Sequence, residues 1–386
     1  MRTIGRRTFL LLALQLFAFA FCTAKEKAST SYFVYVGTYT TNGSKGIYSY
    51  RFDSRSGQLT EMRLAAETEN PSFLAIDPSQ RFLYAVNEVQ KYKNESSGGI
   101  SAFAIDRATG KLSFLNEVAS GGADPCYVAL DKTGKYVLVA NYTGGNVAVF
   151  PARADGALSE RSAFVQHNGS GPNKERQEGP HAHWIETTRD NRFAIASDLG
   201  LDELVVYRFD ASDGTLTAND PPFAKLEAGA GPRHVAFHPN GKLAYVINEL
   251  QSTVSVLSYD SADGKLSPLQ TISTLPKDFS GENTTAEIEL HPNGKFLYAS
   301  NRGHDSIAVF AIDPQKGTLR LIDYFSTKGR TPRNFAIDPT GSWLLVANQN
   351  TGNIVVFRID GKTGRLSGSG QQVKVPSPVC LRFVRP

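Results

Sequence analysis

The feature that most constrains this chain is that it repeats itself. Units reading PSFLAIDPSQRFLYAVNE, PCYVALDKTGKYVLVANY, HWIETTRDNRFAIASDL, PRHVAFHPNGKLAYVINE, EIELHPNGKFLYASNR and PRNFAIDPTGSWLLVANQ follow one another along the sequence. Their last polar residues, Asn87, Asn141, Asp198, Asn248, Asn301 and Asn348, recur at a period of roughly fifty, the spacing of propeller blades and not of helical solenoids. Within each unit apolar and polar residues alternate on either side of an Asp, Asn or Gly corner, the signature of two short strands joined by a turn. A further alternating segment comes next in each case (GGISAFAID, GNVAVFP, ELVVYRFD, STVSVLSYD, DSIAVFAID, GNIVVFRID), and a Gly-x-Leu turn leads into a fourth strand. The pattern predicts an all-β chain of four-stranded antiparallel blades.

Six complete units leave a fragment at each end, and the fragments are complementary. YFVYVGTYTTNGSKGIYSYRFD begins at a second strand, whereas PSPVCLRF supplies a first strand with no successor. Joined, they make a seventh blade, so the chain is expected to be a seven-bladed β-propeller whose ring is closed by a C-terminal strand added to the N-terminal blade. Closure of this kind leaves no open sheet edge. A length of 386 residues would otherwise suggest two or three domains; the repeat reduces them to one, spanning 25–386.

Residues 1–24 fall outside the repeat. Arg6 and Arg7 precede an apolar run from Phe9 to Phe21 that is short for a bilayer span and ends beside small residues, the make-up of a cleaved export signal. RRTFL resembles a twin-arginine signal, and Cys22 offers a lipoprotein junction, although Phe21 stands where such a junction takes a small residue. The expected location is therefore the periplasm or cell envelope, with no membrane association beyond a lipid anchor at Cys22. Cys126 and Cys380 in the folded body form neither a disulfide framework nor a metal cluster. With a net charge of +4 spread evenly and no basic stripe, the chain has no nucleic-acid footprint.

Equivalent positions of successive blades lie on one circle, which turns the repeat into geometry. One column, five residues before each corner, holds Ser72, Cys126, His183, Arg233, Ala286 and Arg333, with Ser377 from the closing strand. A second, directly after the Asn column, holds Tyr39, Glu88, Tyr142, Leu199, Glu249, Arg302 and Gln349. The first begins an inner strand and the second ends its antiparallel partner, so both are expected at the same rim. His183, Arg233, Arg333, Glu88, Glu249 and Arg302 would converge there. Arginine forks of this kind suit an anionic, oxygen-rich small molecule, while a salt-bridged plug between blades is the structural alternative.

The insertion HNGSGPNKERQEGPHAH before His183, together with GPRHVAFHPNGK followed by INE, and AEIELHPNGKFLYASNRG, resembles the lactonase family of seven-bladed propellers, which takes in propeller-type 6-phosphogluconolactonases and carboxy-muconate lactonizing enzymes. The resemblance runs through essentially the whole chain after the signal. It implies hydrolysis of a sugar lactone, with His183, Arg233, Glu249 and Arg302 as the catalytic set: Glu249 or His183 as the base toward water, the two arginines as donors to the developing oxyanion. Glu287 also fits the family pattern. Which residue is the base stays open, because arginine neighbours lower a carboxylate pKa and burial raises it. Export sits uneasily with a phosphorylated cytoplasmic substrate, so the lactone is left open. A lactonizing or isomerising reaction, and a non-catalytic propeller that binds a small anion or a protein, are the alternatives.

Further substrate contacts are expected from Glu287, Arg333, Glu88, His181 and Arg176. His181 has a structural alternative. Arg176 lies in the charged loop Lys174, Glu175, Arg176, Gln177 and Glu178, read either as solvated surface or as a cover over the channel mouth. His238 and His291 occupy corners held elsewhere by Asp77, Asp131 and Asp338 and are read as turn residues. No cofactor motif, nucleophile elbow or metal-ligand spacing is present. Oligomeric state is not legible, and a monomer is the default.

Overall fold

Alternation sets the blades, and their stacking decides which strands are buried on both faces. The structure, a computed structural model, describes residues 31–386; the export signal expected over 1–24, with Cys22, lies outside the described residues. Seven four-stranded antiparallel sheets form a ring. Blade 1 consists of Ser31–Thr38, Gly46–Asp53 and Gln58–Glu67, with the C-terminal strand Pro378–Val384 as its innermost member. Blades 2 to 7 cover residues 74–119, 125–166, 182–225, 232–273, 284–326 and 332–374, each running from the channel outward in chain order. Blade 1 is thus built from both termini, with Phe33 to Thr38 paired to Val384 to Pro378.

Second strands such as Tyr136–Asn141, Leu243–Asn248 and Trp343–Asn348 are buried at every residue, because neighbouring blades cover both faces. Outer strands such as Gln58–Glu67 are mostly exposed, having the rim to themselves. The Gly-x-Leu turns have a specific job in this stacking. Gly57 is held at φ 74°, and a Cβ there would come within 2.6 Å of the Trp343 ring of blade 7. Gly110 stands in the same way against Phe33 and Gly364 against Phe296, so these corners are closed to any side chain. Buried tyrosines fasten the same turns: Tyr35, Tyr84, Tyr245 and Tyr298 donate their hydroxyls to the carbonyls of Gly110, Gly156, Gly317 and Gly364 of the next blade. Trp343 Nε1 performs this between blades 7 and 1, donating to Ser54 O at 2.8 Å. Each such bond contributes about 1 kcal/mol.

His238 and His291 act as turn residues. Their Nδ1 atoms accept the backbone N–H two residues on, as the aspartates do at Asp77 and Asp131, and their Nε2 atoms donate to Gly294 O and Gly341 O of the next blade.

The innermost strand carries one more regularity. Its pairing slips by one residue near its start, between Pro125 and Tyr127, Ala182 and Trp184, Pro232 and Val235, Thr285 and Ile288, and Pro332 and Asn334. Such a bulge leaves a residue out of the ladder and re-aims its side chain. Cys126, His183, Arg233, Ala286 and Arg333 all sit in these slips. In the closing strand the slip falls between Pro378 and Cys380, so the seventh member of that column is Val379 and not Ser377. Ser377 instead precedes the strand, where its carbonyl accepts from Tyr39 N and its hydroxyl from Asn42 Nδ2.

Candidate active site

Bulged inner strands and the ends of their partners bring the two columns to one rim. Glu249, the residue after Leu243–Asn248, is buried at the centre of an arginine cluster. Its Oε2 accepts from Arg233 Nε at 3.0 Å and pairs with Arg302 Nη2 at 2.8 Å, and its Oε1 accepts from Arg176 Nη2 at 2.7 Å. Burial alone would raise this carboxyl, but Arg302 and Arg233, with the hydrogen bond from Arg176, hold it well below the usual carboxylate range. Glu249 is therefore an anion that orders three guanidinium groups.

Arg302 also donates to Thr285 O at 2.8 Å, while its buried Nε has no partner among the described residues. Arg333, in blade 7, makes neither a hydrogen bond nor an ion pair through its side chain among the described residues. Its guanidinium lies 5.4 Å from the centre of the Tyr39 ring. Tyr39 in turn donates to Glu88, 2.9 Å from each carboxylate oxygen, and Ser72 Oγ donates to the same carboxylate. Ser72, Glu88, Cys126, Arg233, His234 and Arg333 surround a narrow recess of about 10 Å³ in the channel, the room of a single water.

His183 is buried beside it, with Nδ1 3.6 Å from Cys126 Sγ and the ring edge-on to Tyr142 and His234. Burial, reinforced by Arg233 and His234, lowers its pKa well below 6.5, so the imidazole is neutral. Burial likewise raises the Cys126 thiol, which keeps its proton. Among the described residues, His183 Nε2 makes no hydrogen bond.

Arg176 reaches the site from the insertion of blade 4. Both ends of that loop are tied to Asp198, whose carboxylate binds His167 Nδ1 at 2.6 Å and accepts from His181 N at 2.7 Å. Gln177, fully buried, anchors the middle by donating to Leu199 O and Asp202. Lys174 and Glu175 remain exposed, so the loop is surface on one side and a bridge to Glu249 on the other. His181 precedes the strand Ala182–Thr187, and its ring stacks at 4.4 Å on Tyr142, the same ring that His183 meets edge-on. The Tyr142 hydroxyl oxygen accepts from Arg176 Nη2 at 3.2 Å.

Glu287 is directed one layer deeper. Its carboxylate faces His234 Nδ1 at 3.0 Å and Asn334 Nδ2, and it does not border the recess. Neither His234 nor Asn334 was visible as a candidate in the sequence: each follows a column residue directly, and only the bulge turns both neighbours toward the channel. Burial draws His234 down to about 4 against the opposing pull of Glu287. The unfolded chain takes that proton near 6.5, so between these values it binds more protons than the folded state and stability falls as pH drops. His183 contributes with the same sign. Replacing His234 by Phe is expected to flatten the decline of Tm between pH 6.5 and pH 4; a variant as steep as the parent would remove His234 as its source.

A wider hollow of about 950 Å³ opens at the other end of the channel, walled by Val235, Phe237, Tyr259, Ile288 and Leu290. There Glu186 is occupied by Tyr127 at 2.6 Å and Lys132 at 3.9 Å, and among the described residues the cations at its wall are Lys132 and Arg189, the latter donating to Pro239 O. Size favours that end, but chemistry favours the arginine-lined one.

Comparisons with known proteins agree with the seven-bladed architecture. The sequence profile of the family described as lactonase, 7-bladed beta-propeller, matches residues 33–383. A 6-phosphogluconolactonase of Bacillus subtilis is 42% identical over 355 residues, covering 92% of this chain and 99% of its own length. A 6-phosphogluconolactonase of Formosa agariphila is 36% identical over 309 residues, 79% of this chain and 86% of its own. The solved structure of the periplasmic gluconolactonase of Pseudomonas aeruginosa superposes with a TM-score of 0.87 at 37% identity, covering 92% of this chain and all 100% of that one.

Proposed function

Because this chain belongs to the family of seven-bladed β-propeller lactonases, we propose that it hydrolyses a sugar lactone, as its 6-phosphogluconolactonase relatives are named for doing, at the arginine-lined end of its channel. The observation that carries the reading is an unpaired guanidinium, Arg333, bordering the same recess as Arg233, whose partner Glu249 also holds Arg302. Guanidinium donors at such a recess suit a single oxygen anion that a molecule bound at the rim brings or develops.

Hydrolysis needs water activated on one side of the lactone carbonyl and donors on the other. His183 fits the first role better than Glu249: it is neutral with a free Nε2, whereas both oxygens of Glu249 are engaged by arginines. With the Cys126 thiol proton directed at one of the carbonyls around it, His183 Nδ1–H faces the sulfur and Nε2 presents its lone pair to water. Arg233 and Arg302 then meet the oxyanion, and Glu249 keeps them aimed. His181 and Arg176 close the rim above, and Glu88 holds Tyr39 beneath Arg333. The test is proton release at constant pH with 6-phosphoglucono-1,5-lactone, glucono-1,5-lactone and other aldonolactones. A rate above spontaneous opening is expected for at least one, and no acceleration on any would overturn the proposal.

Arg333 is assigned the substrate's anionic or most oxygen-rich end. Since Arg333→Leu breaks no ion pair in the unliganded protein, little change in Tm is expected. A charge-assisted hydrogen bond is worth about 1.5–3 kcal/mol, so KM for an anionic lactone should rise by about 10- to 100-fold. An unchanged KM would remove Arg333 from the binding set.

Export to the periplasm or envelope is part of the same proposal. It is supported by the charged and then apolar composition of residues 6–21 and by the likeness to a periplasmic gluconolactonase. Cell fractionation with N-terminal analysis of the mature protein tests it; recovery of the full-length chain in the cytoplasm would count against it, and a lipidated Cys22 would identify the lipoprotein route.

A further inference from the structure

The arginine-lined end of the channel carries more positive charge than its own carboxylates balance. Arg233, Arg302 and Arg333 lie in the channel and the partly exposed Arg176 lies at its mouth, against Glu249 and Glu88. Three channel guanidinium groups against two carboxylates leave one positive charge over, and Arg176 adds a second at the mouth. Groups around the cluster do not make up the difference. Glu178 and His181 face each other at 3.2 Å, and one layer deeper Glu287 stands in the field of Arg382. Burial, with Glu287, pushes Glu289 up to about 8, so near neutrality it keeps its proton. The excess is felt by the arginines themselves. Burial first and then Arg333 lower Arg233 below its ordinary value, and burial draws Arg302 down to about 10 against the pull of Glu249, with Arg233 and Arg333 adding to the fall. Charge withdrawn from water in this way is costly unless a counter-charge accompanies it.

Donors and space for a counter-charge coincide at one point. Arg233 uses Nε on Glu249 and Nη1 on Ala286 O, and among the described residues its Nη2 makes no hydrogen bond. Arg333 meets only the Tyr39 ring through its guanidinium. Both border the recess that has the room of a single water. Cys126 and His234 complete its wall as neutral groups, the thiol held protonated by burial and the imidazole drawn down to about 4. Glu88 borders it as well, but Tyr39 and Ser72 donate to that carboxylate, and the balance with Glu88 counted is still positive. A recess of this size admits one atom and its hydrogens. Sulfate or phosphate cannot enter it whole, whereas a monoatomic anion can.

We infer that this recess is a halide site, in which chloride sits between Arg233 and Arg333 and gives way when a substrate brings its oxygen anion to the same donors. The binding of chloride stands on charge and size alone; its effect on turnover rests on the lactonase reading. Since ion and substrate use the same guanidinium nitrogens, chloride removes free enzyme without touching the bound complex, so it raises KM and leaves kcat unchanged. The chloride concentration around the protein thereby sets how much substrate the site needs.

The test has two arms. In the first, the parent protein is expected to broaden the ³⁵Cl NMR line of sodium chloride. Sodium bromide should reverse the broadening, and the same concentration of sodium isethionate, whose anion is too bulky for the recess, should not. Arg333→Leu should lose most of the bromide-sensitive broadening, while Arg330→Ala, which removes an exposed arginine three residues away, should keep it. A line that bromide does not narrow, or broadening that survives in Arg333→Leu and goes with Arg330, overturns the site whether or not any lactone is turned over. In the second arm, KM for an accepted lactone is compared in sodium chloride and sodium isethionate at equal ionic strength, so that screening is the same in both. Chloride is expected to raise KM by about three- to tenfold with kcat unchanged, the pattern of lost ground-state binding. Equal KM in the two salts, or a kcat that falls in chloride, overturns the competition. A parent protein inert on every lactone sinks the hydrolase reading, and the line width then decides the halide site by itself.

Discussion

Replacing Glu249 by Gln is expected to lower kcat/KM for lactone hydrolysis by about a thousandfold or more, the scale of losing oriented electrostatic stabilisation in an active site. The reason is what this carboxylate organises. Arg233, Arg302 and Arg176 all meet it within 3.0 Å. Glutamine can accept from at most one side, and its amide turns N–H toward a guanidinium on the other. The freed arginines then repel one another, with Glu88 left as the carboxylate bordering the recess. Breaking a buried pair in this way costs about 3–5 kcal/mol, so Tm should fall. The ring should stay folded, because the blades are held by apolar packing and by the tyrosine-to-glycine bonds far from the rim. Steady-state rates with circular dichroism and a melting curve separate the two effects. A folded variant retaining a tenth or more of the parent rate would sink the role given to Glu249.

Removing residues 376–386 is expected to cost the protein its cooperative fold altogether. The deleted strand Pro378–Val384 is the innermost strand of blade 1, and Cys380, Leu381 and Val384 in it are fully buried. Its loss exposes the paired edge of Ser31–Thr38 along the channel and breaks Leu381 N to Asn334, Leu74 N to Cys380 Sγ and Arg382 Nε to Leu74 O, the bonds that tie blades 7, 1 and 2 together. An open propeller presents the unpaired edge that ring closure abolishes, and aggregation is the consequence. Soluble yield and calorimetry of the truncated chain provide the measurement. A single cooperative transition within about 5 °C of the full-length protein, more than a deletion worth several kcal/mol allows, would show that the closing strand is dispensable.

The repeat made most of the fold legible. A fifty-residue period with alternation inside it leaves few architectures, and the complementary terminal fragments required a shared blade. The rim was legible for the same reason, since equivalent positions in a closed ring share a height: the columns that contain His183, Arg233, Glu249, Arg302 and Arg333 meet in the structure. The offset at Ser377 shows where column counting stops. The closing strand has no corner of its own kind to count from, and only its pairing with Ser31–Thr38 fixes Val379 as the equivalent residue.

By itself, then, the sequence determined the number of strands in a blade, the number of blades, the way the ring closes and the ring of positions from which chemistry is drawn. These follow from local alternation and from turn residues such as Gly57, which act within a few residues of where they stand. Only the tertiary structure decided which charges meet. That Glu249 takes three arginines while Arg333 takes none, that Arg176 bridges from a surface loop, and that His234 and Glu287 lie behind Arg233 depend on bulges and on approaches between blades tens of residues apart in the chain. Alternation says which way a side chain leaves a regular strand, and it is silent at the slips of the inner strands on which this site is built.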